Sequence, residues 1–388
     1  MDRPNYKILF ALLRSAICGT KLGEFEIKSY TKELLPKLIE ISKAHDVEHL
    51  LLLGLSRNGL ISKDDVAISD KLIFKAVYRY EQLNAEYGSL CSALDEAKTP
   101  YIPLKGSVLR KYYPEPWMRT SCDIDILVGR ENLDETLECL VNKLKYIKKE
   151  IATHDVSLLS PQGVHVELHF DLIEEDRANN AISVLESVWE NVYLCEGSDY
   201  RYEMTDEFFY FYHIAHMAKH FETGGCGIRP FIDLWILDHI EGIDENKRNE
   251  LLSDSGLLQF ANVCRKLSRV WFGDEKEDDL SLQMQGFILH GGVYGSSDNR
   301  VALQQKKKGG RIGYIFSRLF LPYSKLKRYY PVLEKHRYLT PIMQVRRWFM
   351  LFDPSVARMA KSEIAVNSRI NKDTSDEMNR FLGDIGLK

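Results

Sequence analysis

Apolar positions recur along this chain at two periods, and the change from one to the other divides it. In TKELLPKLIEISKAHDVEHLLLLGLSRNGL (31–60) and DKLIFKAVYRYEQLNAEYGSLCSALDEA (70–97) they return every three or four residues with charges between, which predicts helices across residues 1–96. Thr99-Pro100 then interrupts, and short β-branched runs follow with turn residues between them: YIPLK, DIDILV, DVSLLS and GVHVELHF. RENLDETLECLVNKL (130–144) reads as a helix among these strands. From about residue 180 the helical period returns, in AISVLESVWENV, TDEFFYFYHIAHMAKHF and RPFIDLWILDHI. KKKGGR (306–311), charged and without an apolar anchor, reads as a mobile loop. The expected class is α+β: a small mixed sheet from residues 100–170, flanked by N-terminal and C-terminal helices. The expected regions are 1–96 (helical), 97–200 (α/β core), 201–300 (helices closing a cleft) and 301–388 (basic, mainly helical).

Charge adds one asymmetry. The 388 residues carry a net charge of −4, but residues 301–350 hold twelve Lys and Arg against the single acid Glu334. That segment is therefore +11 and the remainder −15. A basic block on an acidic chain suggests nucleic acid, lipid headgroups or another anionic ligand, or else only a solvated helical surface. KLKRYY (325–330) and RRW (346–348) interleave bases with aromatics, as an RNA-binding surface or an ordinary amphipathic helix does. The seven cysteines are scattered without a CxxC pair, the usage of a reducing compartment. The N-terminus is superficially like a signal peptide, but its apolar run, Ile8 to Leu13, is short for one. No apolar stretch reaches the roughly 18 residues of a membrane span, so the expected location is the cytoplasm.

The chemistry concentrates in LKGSVLRKYYPEPWMRTSCDIDILV (104–128). On a strand, Asp123 and Asp125 face one way while Cys122, Ile124, Ile126 and Val128 face the other. Two unpaired carboxylates on one face repel and are costly to desolvate, a cost that a divalent cation removes. The alternative is an exposed sheet face with solvated aspartates. In GVHVELHF, Glu167 alternates with Val166 and Leu168, and beside the first strand it completes a three-carboxylate cluster. Such a cluster can hold two Mg²⁺ ions, one activating a hydroxyl and one carrying a nucleotide's phosphates. His165 and His169 share that face and bind substrate, assist proton transfer or only fill polar space. Lys105-Gly106-Ser107 closes a strand and opens a helix, where glycine admits a phosphate and the serine hydroxyl and helix amides donate to it.

In this order, KGS, DxD and ExH resemble the motifs of the nucleotidyltransferase (DNA polymerase beta-like) superfamily. The chain looks closest to its group of uncharacterised bacterial nucleotidyltransferases, through LKG, Tyr113-Pro114, Arg119, DIDILV and VELHF. AHDVEHLLLLGL, HMAKHF, IRPFIDLWIL and LFLPYSKLKRYYPVLEKHRYLTPIMQVRRW extend the likeness over about residues 40–350. It departs from the superfamily at Lys105, where a first glycine is usual, and in a long gap between Ser107 and Asp123. The resemblance implies metal-dependent transfer of a nucleoside monophosphate from an NTP to a hydroxyl acceptor, with pyrophosphate release. It implies two Mg²⁺ or Mn²⁺ ions held by Asp123 and Asp125, with Glu167 as a third ligand that orients or deprotonates the acceptor. Gly106 and Ser107 would hold the β- and γ-phosphates, and Lys105 and Arg119 are either phosphate partners or surface cations. The acceptor is open between a small molecule, a protein and RNA.

His213, His216 and His220 fall on one face of a helix. Zinc is disfavoured, because Met217 stands where HExxH has its glutamate. A polar wall facing the cleft is the better reading: Lys219 or His220 reaches nucleotide phosphates, and Asp233 orients Arg229. Alternatively Arg229 and Asp233 form an i, i+4 pair that only stabilises their helix. Two other functions fit parts of the pattern. A DxD sugar transferase needs a nucleotide-binding α/β half before the motif, which the helical first 96 residues do not provide. A catalytically silent nucleotide- or partner-binding module of the same fold is the other.

Overall fold

A computed structural model describes residues 3–173 and 181–387 of the chain. The fold is α+β. Five strands, β1 (Tyr101–Pro103), β2 (Asp123–Val128), β3 (Ile147–Ile151), β4 (Asp155–Leu159) and β5 (His165–His169), form one mixed sheet in the order β1-β2-β5-β4-β3. β2 and β5 run parallel, and the other neighbours are antiparallel. β6 (Val192–Leu194) and β7 (Tyr202–Met204) pair as a separate two-stranded sheet. β3 was not visible in the sequence because all five residues of IKKEI are exposed, which leaves no alternation to read. Its two lysines suit an unpaired edge.

The two faces of the sheet meet different partners. Ile124, Ile126, Val128, Val166 and Leu168 are buried against the long helix Lys63–Glu96 through Leu83, Leu90 and Leu94, and against Leu140 of the helix Leu133–Asn142. Burying such side chains stabilises by roughly 1.5–3 kcal/mol each. The opposite, acidic face looks into a cleft walled by the helices Asp206–Thr223 and Arg229–Leu237. Those helices belong to a larger core shared with the helices Arg3–Cys18, Glu48–Arg57 and Leu258–Phe272. The apolar run Ile8 to Leu13 is part of that core, and Phe10 stacks on Trp271 with ring centroids 4.1 Å apart. Gly54 permits the close crossing of the helices Arg3–Cys18 and Glu48–Arg57, since a Cβ there would lie 2.2 Å from the Leu12 carbonyl oxygen.

Residues 306–311 are not a loop. The helices Ser297–Lys307 and Gly310–Leu319 leave only Lys308 and Gly309 between them, and Gly309 and Gly310, both at positive φ, turn the chain sharply. The C-terminal helices enclose a small core of their own around Val301, Tyr314, Val366 and Ile370. Among the described residues, no helix is long and apolar enough to cross a membrane.

Candidate active site

Strand register assembles the acids. Across the parallel β2–β5 pair, Asp123 stands opposite His165, Asp125 opposite Glu167 and Leu127 opposite His169. On the far side of β5, Ser157 faces Glu167 and Asp155 faces His169. Glu167 is thus the neighbour that the alternation in VHVELHF pointed to. Asp125 is only 3% exposed, which rules out a solvated sheet face at that position, while Asp123 is half-buried.

The tightest group differs from the expected one. Asp125, Glu167 and His169 each offer a ligand atom, all within 4.8 Å of one another. His169 Nε2 lies 3.0 Å from Asp125 Oδ1 and 3.5 Å from Glu167 Oε2. Asp123 lines the same cleft but stands outside this group. Of the two histidines that share Glu167's face, His169 is the one that joins the group. Burial and the neighbouring Asp125 raise the Asp123 carboxyl above the ordinary aspartate range. Burial acts the same way on Asp125, but Lys105 and His169 outweigh it and hold that carboxyl far below the range.

Lys105 is the feature that the sequence did not place. Its backbone sits at φ +44°, in the region that favours glycine, although a lysine stands there. A residue held in that region costs on the order of 1–3 kcal/mol. Its Nζ donates to Asp125 Oδ1 at 2.7 Å and lies 3.8 Å from Glu167 Oε2. Burial alone would lower the ammonium's pKa, but the field of Asp125 raises it above the ordinary lysine value. It is therefore neither a surface cation nor, in this arrangement, turned outward to receive phosphate. Gly106 lines the cleft, and a Cβ on it would come within 3.3 Å of Ser121. Ser107 does not line it: its hydroxyl is buried without a hydrogen-bond partner among the described residues, and Ser121 is the serine on the cleft wall.

The remaining candidates converge on the same cleft, of about 280 Å³: Arg119, Lys219, His220, Arg229 and Asp233. Two pairings correct the sequence reading. Asp233 takes Arg119, not Arg229: Arg119 Nε donates to Asp233 Oδ1 at 2.7 Å, and Tyr113 Oη donates to the same oxygen at 2.6 Å. Arg229 instead donates to Asp46 Oδ2 at 2.7 Å and to the Thr120 carbonyl at 3.1 Å. Spacing of i, i+4 is thus not the contact that forms, because the segment between Ser107 and β2 supplies a closer guanidinium. Burial would raise Asp233, and Arg119 overrides it to hold the carboxyl low.

His213, His216 and His220 lie along the helix Asp206–Thr223. His213 Nε2 is 2.9 Å from the Pro230 carbonyl oxygen, and the three rings make no close ligand group among the described residues. Burial pushes His213 and His216 down, so both are neutral near pH 7. Lys219 is pushed down to about 8 by burial and by Lys105. Sequence reading also missed His45, Asp46 and Tyr294. Tyr294, 81% exposed, sits at the cleft on a glycine-rich turn where Gly295 passes against Gly224 so closely that a Cβ would lie 2.2 Å from the Gly224 oxygen.

A family model described as "Uncharacterised nucleotidyltransferase" matches residues 32–273, more than half of the chain. No curated protein and no solved structure matches it.

Proposed function

The chain belongs to the family of uncharacterised nucleotidyltransferases, and from that premise we propose that it transfers a nucleoside monophosphate from an NTP to a hydroxyl acceptor. The observation that carries this reading is the carboxylate pair Asp125 and Glu167, with the Lys105 ammonium between them, inside a cleft that also holds Lys219 and Arg229. A seat that concentrates carboxylates around one positive charge, with further cations on its wall, suits a polyphosphate and its counter-ion. The donors fit a hard divalent ion: carboxylate oxygens from Asp125, Glu167 and the nearby Asp123, with one imidazole, suit Mg²⁺ or Mn²⁺. When bound, such an ion supplies Lewis-acid stabilisation of phosphoryl charge.

The chain's own residues then have separable tasks. Lys219 and Lys105 balance phosphate charge, the latter once its ammonium leaves Asp125. Gly106 gives the phosphates close access to the backbone. Glu167, 29% exposed at its side chain, takes the proton of the acceptor hydroxyl. The hydroxyl oxygen bonds to the α-phosphorus, the bond from that phosphorus to the bridging oxygen breaks, and pyrophosphate leaves with the electron pair.

Lys105 also favours a second reading, a catalytically silent nucleotide-binding module in which the ammonium permanently fills the cation seat. The test is incubation with each α-³²P-labelled NTP, Mg²⁺ or Mn²⁺, and cell extract separated into RNA, protein and small molecules. Label entering one fraction and lost in Asp123→Ala/Asp125→Ala protein supports transfer and identifies the acceptor class. No label, with NTP binding retained by calorimetry, supports the silent module.

A further inference from the structure

The basic C-terminal region turns apolar side chains outward. In the helix Thr340–Phe349, the exposed positions Ile342, Val345, Arg346 and Phe349 recur at three- and four-residue intervals, so one face of the helix is solvent-facing and mainly apolar. The helix Gly310–Leu319 does the same with Ile312, Phe316 and Leu319, followed by Phe320. Ring contacts join the two faces: Phe316 stacks on Phe320, and Phe320 meets Trp348 edge-on at 5.4 Å. Trp348 Nε1 also donates to the Leu319 carbonyl at 2.8 Å. Beyond Phe349, Met350, Leu351 and Phe352 are all exposed, Phe352 at 82%. Contiguous exposed apolar surface of this kind marks a docking face.

We propose that this face seats the protein on an anionic lipid bilayer, with its apolar side chains at the headgroup–acyl boundary and its cations among the headgroups. Charge selects this occupant. The segment's +11 complements a negatively charged leaflet, whereas a second copy would set +11 against +11 across an isologous contact. Single-stranded nucleic acid would use the aromatics for stacking, but it has no use for Ile342, Val345, Met350 and Leu351. An amphipathic helix with basic residues beside its apolar face lies in the plane of a membrane without spanning it. This inference is independent of the cleft chemistry.

The test is sedimentation of the full chain with phosphatidylglycerol/phosphatidylcholine vesicles and with phosphatidylcholine alone, at low and high salt. The proposal expects pelleting with the anionic vesicles, weakened by salt and absent with the neutral ones. Phe349→Asp/Phe352→Asp is expected to abolish it, and Arg346→Glu to weaken it roughly tenfold. Ile342→Asp, at a separate exposed position, repeats the apolar test, and an unchanged thermal melt shows each variant folded. Protein left in the supernatant with anionic vesicles overturns the proposal. So does a concentration-dependent dimer, or binding to single-stranded RNA, that the same variants abolish while vesicle binding persists.

Discussion

Arg119–Asp233 and Lys105–Asp125 are ion pairs of the same length, 2.7 Å, on the wall of one cleft, but they are held differently. Arg119 and Asp233 are 9% and 0% exposed at their side chains, and Tyr113 and the Thr120 carbonyl brace them. The pair ties the segment before β2 to the helix Arg229–Leu237. Lys105, 24% exposed, has a flexible stem, and its partner Asp125 keeps His169 as a second contact. If the first pair opens, both charges stay buried away from water, whereas Lys105 reaches solvent and Asp125 keeps His169. The difference separates a bond that builds the cleft from one that the cleft's chemistry can use.

The largest expected effect comes from the usable pair. Asp125→Asn should lower label transfer by about a thousandfold or more, equivalent to about 4 kcal/mol, while leaving the fold cooperative. If it lowers the urea midpoint as far as Asp233→Asn does, the distinction between the pairs fails. Asp233→Asn leaves a buried guanidinium without its counter-charge and should cost about 3 kcal/mol in urea unfolding. An unchanged midpoint would move Arg119–Asp233 into the class of replaceable contacts.

Acid sharpens the same contrast, because the architecture includes histidines buried in the neutral form. His45 is fully buried, neither ring nitrogen has a hydrogen-bond partner among the described residues, and burial lowers its pKa to about 4 from 6.5. A folded-state pKa below the unfolded one means that unfolding takes up a proton as pH falls. This stability is complete above 6.5 and declines toward 4, by about 2 kcal/mol at about pH 5. His213 and His216 are shifted in the same direction. Urea midpoints compared at about pH 7.5 and about pH 5 should fall, and His45→Phe should reduce the fall. The smallest effect concerns Gly106, whose Cβ would press on Ser121 at 3.3 Å. Gly106→Ala should reduce transfer about tenfold, chiefly through KM, with little change in the melt.

Much of the candidate site was legible because β-strand geometry is strict. Alternation placed Asp123 and Asp125 on one face, and the VHVELHF pattern placed Glu167 to match. Arg229–Asp233 misled for the opposite reason: helical spacing says which side chains are able to meet, not whether a competitor from another segment comes nearer. Arg119 lies 114 residues before Asp233 in the chain, and Asp46 lies 183 before Arg229. No local period carries such information. β3 escaped because an edge strand has no buried face to impose alternation.

The sequence by itself determined the α+β class and the acid face of the sheet, which rest on periodicities of two and 3.6 residues, and the family resemblance, which rests on the order of its motifs. Only the tertiary structure decided which charges pair. It put Lys105 into the carboxylate seat, joined His169 to Asp125 and Glu167, and left two apolar helix faces outward in the most basic part of the chain. Those outcomes depend on contacts between distant segments, where burial and electrostatic competition are settled together.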